Sequence, residues 1–388
     1  MLLSSAVTAA QESVLTVGYI DSGNLWLWQS EDAVPRQLAE GQIVQMFPSA
    51  EGDLIAFTRW ETQPGQAESL AWLNVAEGSE QTIVVLDATA ETRIVDVVWA
   101  GDQLFFSLAE MTALGLVLRY DLWRYTAGDE AAEQVLEPGA GGQAHVSPDG
   151  RWLGVVSPGV YGGEAGWIRL FRVVDSTVRE GLRFPAVSSG ATYGFLPDIQ
   201  WEADSTAFRI ALPDKDLLYA TDNLPLTVIW HIPVDGAPVE LGTVSASLFG
   251  QPRWSGSGRH LAYFQPVGST RDNQFALMLA DGNGAAAGVY MRGSAGTIGL
   301  PVWMPGSEQF IYEQGNAGAY WLGAAGSAPQ AFPEARFNVQ GVDATSYVYA
   351  SAPGGSFELR VGQIGQSEST LVAAVENPVP VFVAWFAG

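Results

Sequence analysis

Short runs of five to eight residues, rich in Val, Ile, Phe, Tyr and Trp, recur along the whole chain between clusters of Gly, Pro, Asp and Ser. VLTVGYI, NLWLWQ, DLIAFTRW, RWLGVVSP, WIRLFRVV, HLAYFQP and FALMLA are representative. β-Branched and aromatic residues suit a pleated, half-buried surface, and the punctuating residues mark turns. Apolar spacing of the helical kind is almost absent. The pattern predicts an all-β protein.

The clearest unit is QAHVSPDGRWLGVVSPG, residues 143–159, followed by GWIRLFRVV. It reads as a strand, a tight turn at Ser147-Pro148-Asp149-Gly150, a second strand, a loop and a third strand. Pro presets φ early in the turn, Asp bonds its own backbone, and Gly accepts positive φ. Sliding the unit along the chain aligns a column of large apolar residues just before each turn. Its members are Phe47, Trp99, Val146, Trp201, Trp254, Trp303, Val342 and Trp385, at spacings between 39 and 55 residues. Such an interval holds four short strands, the content of one propeller blade. A solenoid of stacked hairpins is the structural rival, but it calls for capping repeats and a tighter period. The last unit contributes one strand, VPVFVAWFAG, while the first residues supply VLTVGYI, LWLWQS and a short strand near Arg36. One C-terminal strand and three N-terminal strands therefore complete a composite blade and close a ring. The prediction is a single eight-bladed β-propeller over residues 13–388, preceded by a leader or signal remnant over 1–12. Val342 is the weakest column member, so seven blades is the alternative count.

SPDGRWLGVV, WSGSGRHLAYF and WMPGSEQFIY resemble the repeats of TolB-type β-propellers, whose WD-like blades carry a W-S-P-D-G-like turn. The resemblance implies a fold and assigns no functional residue, because fold-level likeness says little about chemistry. The column tryptophans are predicted to pack between neighbouring sheets rather than to stack on a ligand, and Asp102, Asp149 and Asp204 to form turns.

Composition narrows the function. Lys plus Arg number 18 against 42 Asp plus Glu, for a net charge of −24, with Lys215 the single lysine. Binding to nucleic acid or to an anionic membrane needs clustered cations and is disfavoured. With no cysteine there are no disulfides, thiolate metal sites or cysteine nucleophiles. No apolar run is long enough to insert into a membrane. The opening MLLSSAVTAAQES resembles the end of a secretory signal, which leads to an exported, periplasmic or extracellular protein.

No G-x-S-x-G elbow and no phosphate-binding G-x-x-x-x-G-K-[ST] loop occurs. The three histidines, His145, His231 and His260, fall in different units. Asp214-Lys215-Asp216 and Asp281-Gly282-Asn283 are partial calcium patterns, read here as a solvated loop and a hairpin turn. Accordingly, no catalytic residue, metal ligand or cofactor is assigned. The informative feature is loop length. Turns between first and second strands are short, whereas the opposite loops and the connections between blades are long and varied. Long loops on a rigid scaffold are where binding resides. That face is expected to present Tyr161, Tyr193, Phe195, Asp198 and Arg253 to a protein or peptide partner, with 188–198 as the main contact loop. Two alternatives stay open. One is a carbohydrate-active lyase or glycoside hydrolase, using Asp198, Arg253 and His145 at the channel mouth. The other is a structural subunit of a cell-surface assembly, with self-association as its mark.

Overall fold

The computed structural model describes residues 14–61, 67–87, 92–111, 117–159, 164–187, 195–213, 226–246, 251–268, 274–294, 297–299, 301–315, 319–331, 337–377 and 380–387. The chain opens with β1 (Val14–Asp21), β2 (Asn24–Gln29) and β3 (Arg36–Ala39). Seven antiparallel sheets follow in sequence. Blade 1 runs from β4 (Ile43–Pro48) to β7 (Glu80–Leu86), and blade 2 from β8 (Thr92–Ala100) to β12 (Glu133–Leu136). Blade 3 runs from β13 (Gln143–Val146) to β16 (Val178–Phe184), and blade 4 from β17 (Ile199–Trp201) to β20 (Val239–Val244). Blade 5 spans β21 (Arg253–Trp254) to β24 (Gly288–Ser294), and blade 6 spans β25 (Val302–Trp303) to β28 (Gln330–Ala331). Blade 7 spans β29 (Phe337–Gly341) to β32 (Ser369–Val375). The final strand, β33 (Val381–Ala387), pairs antiparallel with β1 from Val14↔Ala387 to Ile20↔Val381, giving the composite sheet β3-β2-β1-β33 as blade 8. The predicted eight blades and their closure by one C-terminal and three N-terminal strands are both present. First strands meet at five of the seams, with β33 meeting β4 at the closure, and side-chain hydrogen bonds join β13 to β17 and β29 to β33, so the first strands line the axis and the fourth strands form the rim.

The core lies between blades rather than within them. Trp99 packs with Leu54, Ala56 and Leu70 of blade 1 and Phe106 of its own blade, and Trp201 packs with Val156 and Ile168 of blade 3 and Phe208 of blade 4. Three column indoles also pin the preceding blade. Trp99 Nε1 donates to Phe47 O at 2.8 Å, Trp201 Nε1 to His145 O at 2.9 Å, and Trp303 Nε1 to Arg253 O at 2.8 Å. Trp254 instead donates to Gly282 O within its own blade. The Ser147-Pro148-Asp149-Gly150 turn takes its expected form. Gly150 has φ +70°, Ser147 Oγ donates to Asp149 Oδ1, and the Asp149 N–H donates to Ser205 Oγ in the corresponding turn of blade 4.

Rim edges are blunted by geometry. In seven blades the pairing of the third strand with the fourth slips by one residue, and in blade 6 the fourth strand is only Gln330–Ala331. Bulged or very short edge strands make poor templates for pairing with another chain.

Candidate functional site

An inner strand has a blade against each face and its second strand along one edge, so its exposed side chains open only toward the axis. Strand direction places the starts of inner strands at the end from which the long loops rise. Two kinds of surface meet there. Val381 of blade 8, Val44 of blade 1 and Val95 of blade 2 are each more than a third exposed, on three consecutive blades, and so is Val302 of blade 6. Across the ring, Arg253 of blade 5 pairs with Asp198, which leads into blade 4, at 3.6 Å from Nε to Oδ2. The side chains of this pair are 38% and 54% exposed. His145 of blade 3 lies close enough to feel the Asp198 charge, so residues from three consecutive blades converge.

The surrounding chain positions these groups. The backbones of His145 and Arg253 are the ones pinned by Trp201 and Trp303. Leu196 O accepts from Gln251 Nε2 at 3.4 Å, tethering the segment that carries Asp198 to the lead-in of blade 5. Burial pushes the His145 imidazole below its ordinary pKa, with the Asp198 charge opposing in part, which favours a neutral ring. Its Nε2 is buried without a hydrogen-bond partner, and so is Arg253 Nε. His145 is therefore half-buried at the mouth, with Nε2 shielded from solvent.

Of the expected contact residues, Asp198 and Arg253 are accessible and adjacent. Phe195 is only 6% exposed and packs with Val187 and Trp201 between blades 3 and 4, because its segment folds back into that seam. Phe195 is thus a packing residue, which corrects its expected place on the contact face. Tyr161 and Tyr193 lie outside the described residues, as do most of 188–198 and Asp214-Lys215-Asp216. Asp281-Gly282-Asn283 is a hairpin turn in which Asn283 Oδ1 accepts from Ala285 N. Among the described residues, no three His, Asp or Glu side chains are grouped to hold a metal ion.

One group near this wall went unremarked in the sequence. Asp96, in the inner strand of blade 2 beside a bulge, accepts from the Ala144 N–H of blade 3 at 2.5 Å. Burial pushes its carboxyl up to about 7, against the lowering effect of hydrogen bonds from Ala144 and Val97. Tyr120 is raised to about 12, chiefly by burial and further by the Asp96 charge. A carboxylate inside the apolar run RIVDVVWA was the available signal.

No protein-family profile and no curated protein matches the sequence. Solved structures do match in shape. Prolyl oligopeptidase B from Galerina marginata is similar at 7% identity and TM-score 0.53, over 86% of this chain and 51% of that one. A eukaryotic initiation factor is similar at 9% identity and TM-score 0.51, over 96% and 98% of the two chains. TolB from Acinetobacter baumannii matches at 13% identity and TM-score 0.36, over 70% of this chain and 62% of that one. The chain thus spans less than two thirds of that TolB and about half of the oligopeptidase. At these identities the likeness is one of fold, the β-propeller, and no helix among the described residues is long and apolar enough to cross a membrane.

Proposed function

We propose that the chain is a non-enzymatic, exported β-propeller that binds a protein or peptide partner at its long-loop face. The observation that carries the reading is the channel mouth, where Val381, Val44 and Val95, with Val302 of blade 6, expose apolar surface around the Asp198–Arg253 pair. Exposed pairs of this kind contribute about 0–1 kcal/mol to a fold, so this one can exchange partners at little cost. Exposed valines in a concave setting supply apolar area to be desolvated, and Arg is enriched at the centres of interfaces. Leu226, 47% exposed, adds a separate apolar side chain on blade 4 at the same end of the ring. Tyr161 and Tyr193 belong to the loops assigned to the partner, while Phe195 anchors its segment from below.

The test is capture from envelope and secreted fractions by the immobilised full chain and by an Asp198→Ala/Arg253→Ala variant. A stoichiometric partner retained at least about tenfold less by the variant is expected, since disrupting a charge pair that becomes desolvated costs about 2–5 kcal/mol. Equal retention contradicts this site. The convergence of His145, Asp198 and Arg253 is the one observation that favours a carbohydrate-active centre instead. Turnover of an oligosaccharide that is abolished in Asp198→Asn would establish that second reading.

A further inference from the structure

A groove lies on the opposite face, where the short turns are, and is independent of the channel mouth. Several seams between blades carry a polar clamp at the same register. Two residues beyond the slip between third and fourth strands, the fourth strand bears Arg36 opposite Leu27, Gln81 opposite Trp72, and Arg179 opposite Leu170. Each reaches the next blade at the hairpin between its third and fourth strands. Arg36 donates to Val75 O at 3.2 Å, Gln81 to Asp129 O at 3.1 Å, and Arg179 to Gly236 O at 2.8 Å and to Pro233 O. Arg124 and Arg209 clamp two further seams from other strands, onto Ser176 Oγ and Gly258 O.

In blade 5 the same register, opposite Leu279, holds Gly288. A Cβ built there meets nothing within 4 Å, and the backbone is not in the left-handed region. Where a clamp would run, an open groove of about 280 Å³ extends from Gly288 and Val289 to Ala325 and Gly326, the matching hairpin of blade 6. Among the described residues, no arginine or glutamine crosses it. Its walls are mostly apolar, with Asp281, His260 and Tyr290 as the polar side chains. His260 and Asp281 line it as a cross-strand pair, and Glu308 of blade 6 stands 3.9 Å from His260 Nε2.

We propose that this groove is a docking seat for an arginine side chain of a partner polypeptide, which supplies in trans the clamp that Gly288 omits. The chain provides its own precedent, since guanidinium groups occupy the equivalent space in the 8–1 and 3–4 seams. Asp281 in the groove wall, in a chain of net charge −24, favours a cation. In those two seams the acceptors are hairpin carbonyls, which suit a planar group with several N–H donors better than a compact ammonium.

The probe is acetyl-Gly-Arg-Gly-amide, titrated into the isotope-labelled full chain and followed by amide NMR. Saturable shifts are expected at 286–289 and 325–326, half-complete in the millimolar range and weaker when Lys or Leu replaces the Arg. In Gly288→Arg, whose side chain enters open space and fills the seat, binding is expected to weaken at least about tenfold. Asp281→Asn, which leaves the groove open, is expected to weaken it severalfold. The absence of saturable shifts overturns the proposal. So does wild-type affinity in Gly288→Arg or, should that variant fail to fold, in Asp281→Asn.

Discussion

Replacing Trp385 by alanine is expected to destabilise the ring by about 3 kcal/mol, within the range for truncating a large aromatic in a core. Trp385 sits on the one inner strand that joins the two ends of the chain. Its indole packs against the buried cluster that spans blades 7, 8 and 1. The ring lies over Gly52 in the first turn of blade 1 and against Gly18 of β1. A Cβ at Gly52 would stand 1.9 Å from Nε1, and one at Gly18 3.2 Å from the ring. Gly52→Ala should therefore be comparably harmful, through the clash and through the strain of alanine at φ +72°. The two effects are coupled. Once the indole is removed, only the backbone strain of about 1–2 kcal/mol remains, so the double variant should be much less unstable than the sum of the single ones. Denaturant unfolding of the four proteins measures this. Strict additivity would mean that the Trp385–Gly52 contact does not hold the closure.

Asp96→Asn is expected to stabilise the protein in alkaline solution and to do little in acid. The carboxyl of the folded chain titrates at about 7, against 3.8 for an unperturbed Asp. The folded state therefore holds the proton more tightly than the unfolded state. Its stabilising contribution is complete below about pH 4, declines as pH rises and is gone above about pH 7. Asn removes that decline and keeps an oxygen to accept the Ala144 N–H. Each pKa unit is worth about 1.4 kcal/mol, so the variant should gain up to about 4 kcal/mol over the wild type at pH 8, less whatever its new N–H₂ group costs. Unfolding midpoints of both proteins from pH 4 to pH 8 give the result. Parallel curves would show that Asp96 is already ionised in the fold at the acid end.

The ring was legible because its signal repeats. Each column indole fills a gap between sheets, and that need recurs once per blade, so Trp99, Trp201, Trp254, Trp303 and Trp385 stand at blade spacing. The composite blade was legible because a lone strand at one end matched three at the other. What stayed hidden depends on register or on a distant surface. Arg36, Gln81 and Arg179 share a position only once the slip in each blade is known. Gln340 of blade 7, whose side-chain amide both donates to Ala384 O and accepts from Ala384 N of the closing strand, shows no local motif. Phe195 read as a loop aromatic, yet its segment returns into the seam between blades 3 and 4 and buries it. Asp198 and Arg253 were expected on the same face, and the ring brings them to 3.6 Å.

The claim that a partner binds at the long-loop end is tested most directly by mapping the occupied face. A photo-reactive side chain is placed at Leu226 or Gly355 on the long-loop face, or at Val34 or Val174 on the opposite face, all exposed positions. Each full-length protein is then irradiated in its native host, and its adducts are identified. The account predicts one common polypeptide adduct from Leu226 and Gly355, and none of that species from Val34 or Val174. Adducts confined to Val34 and Val174, or none from any of the four positions, would contradict it.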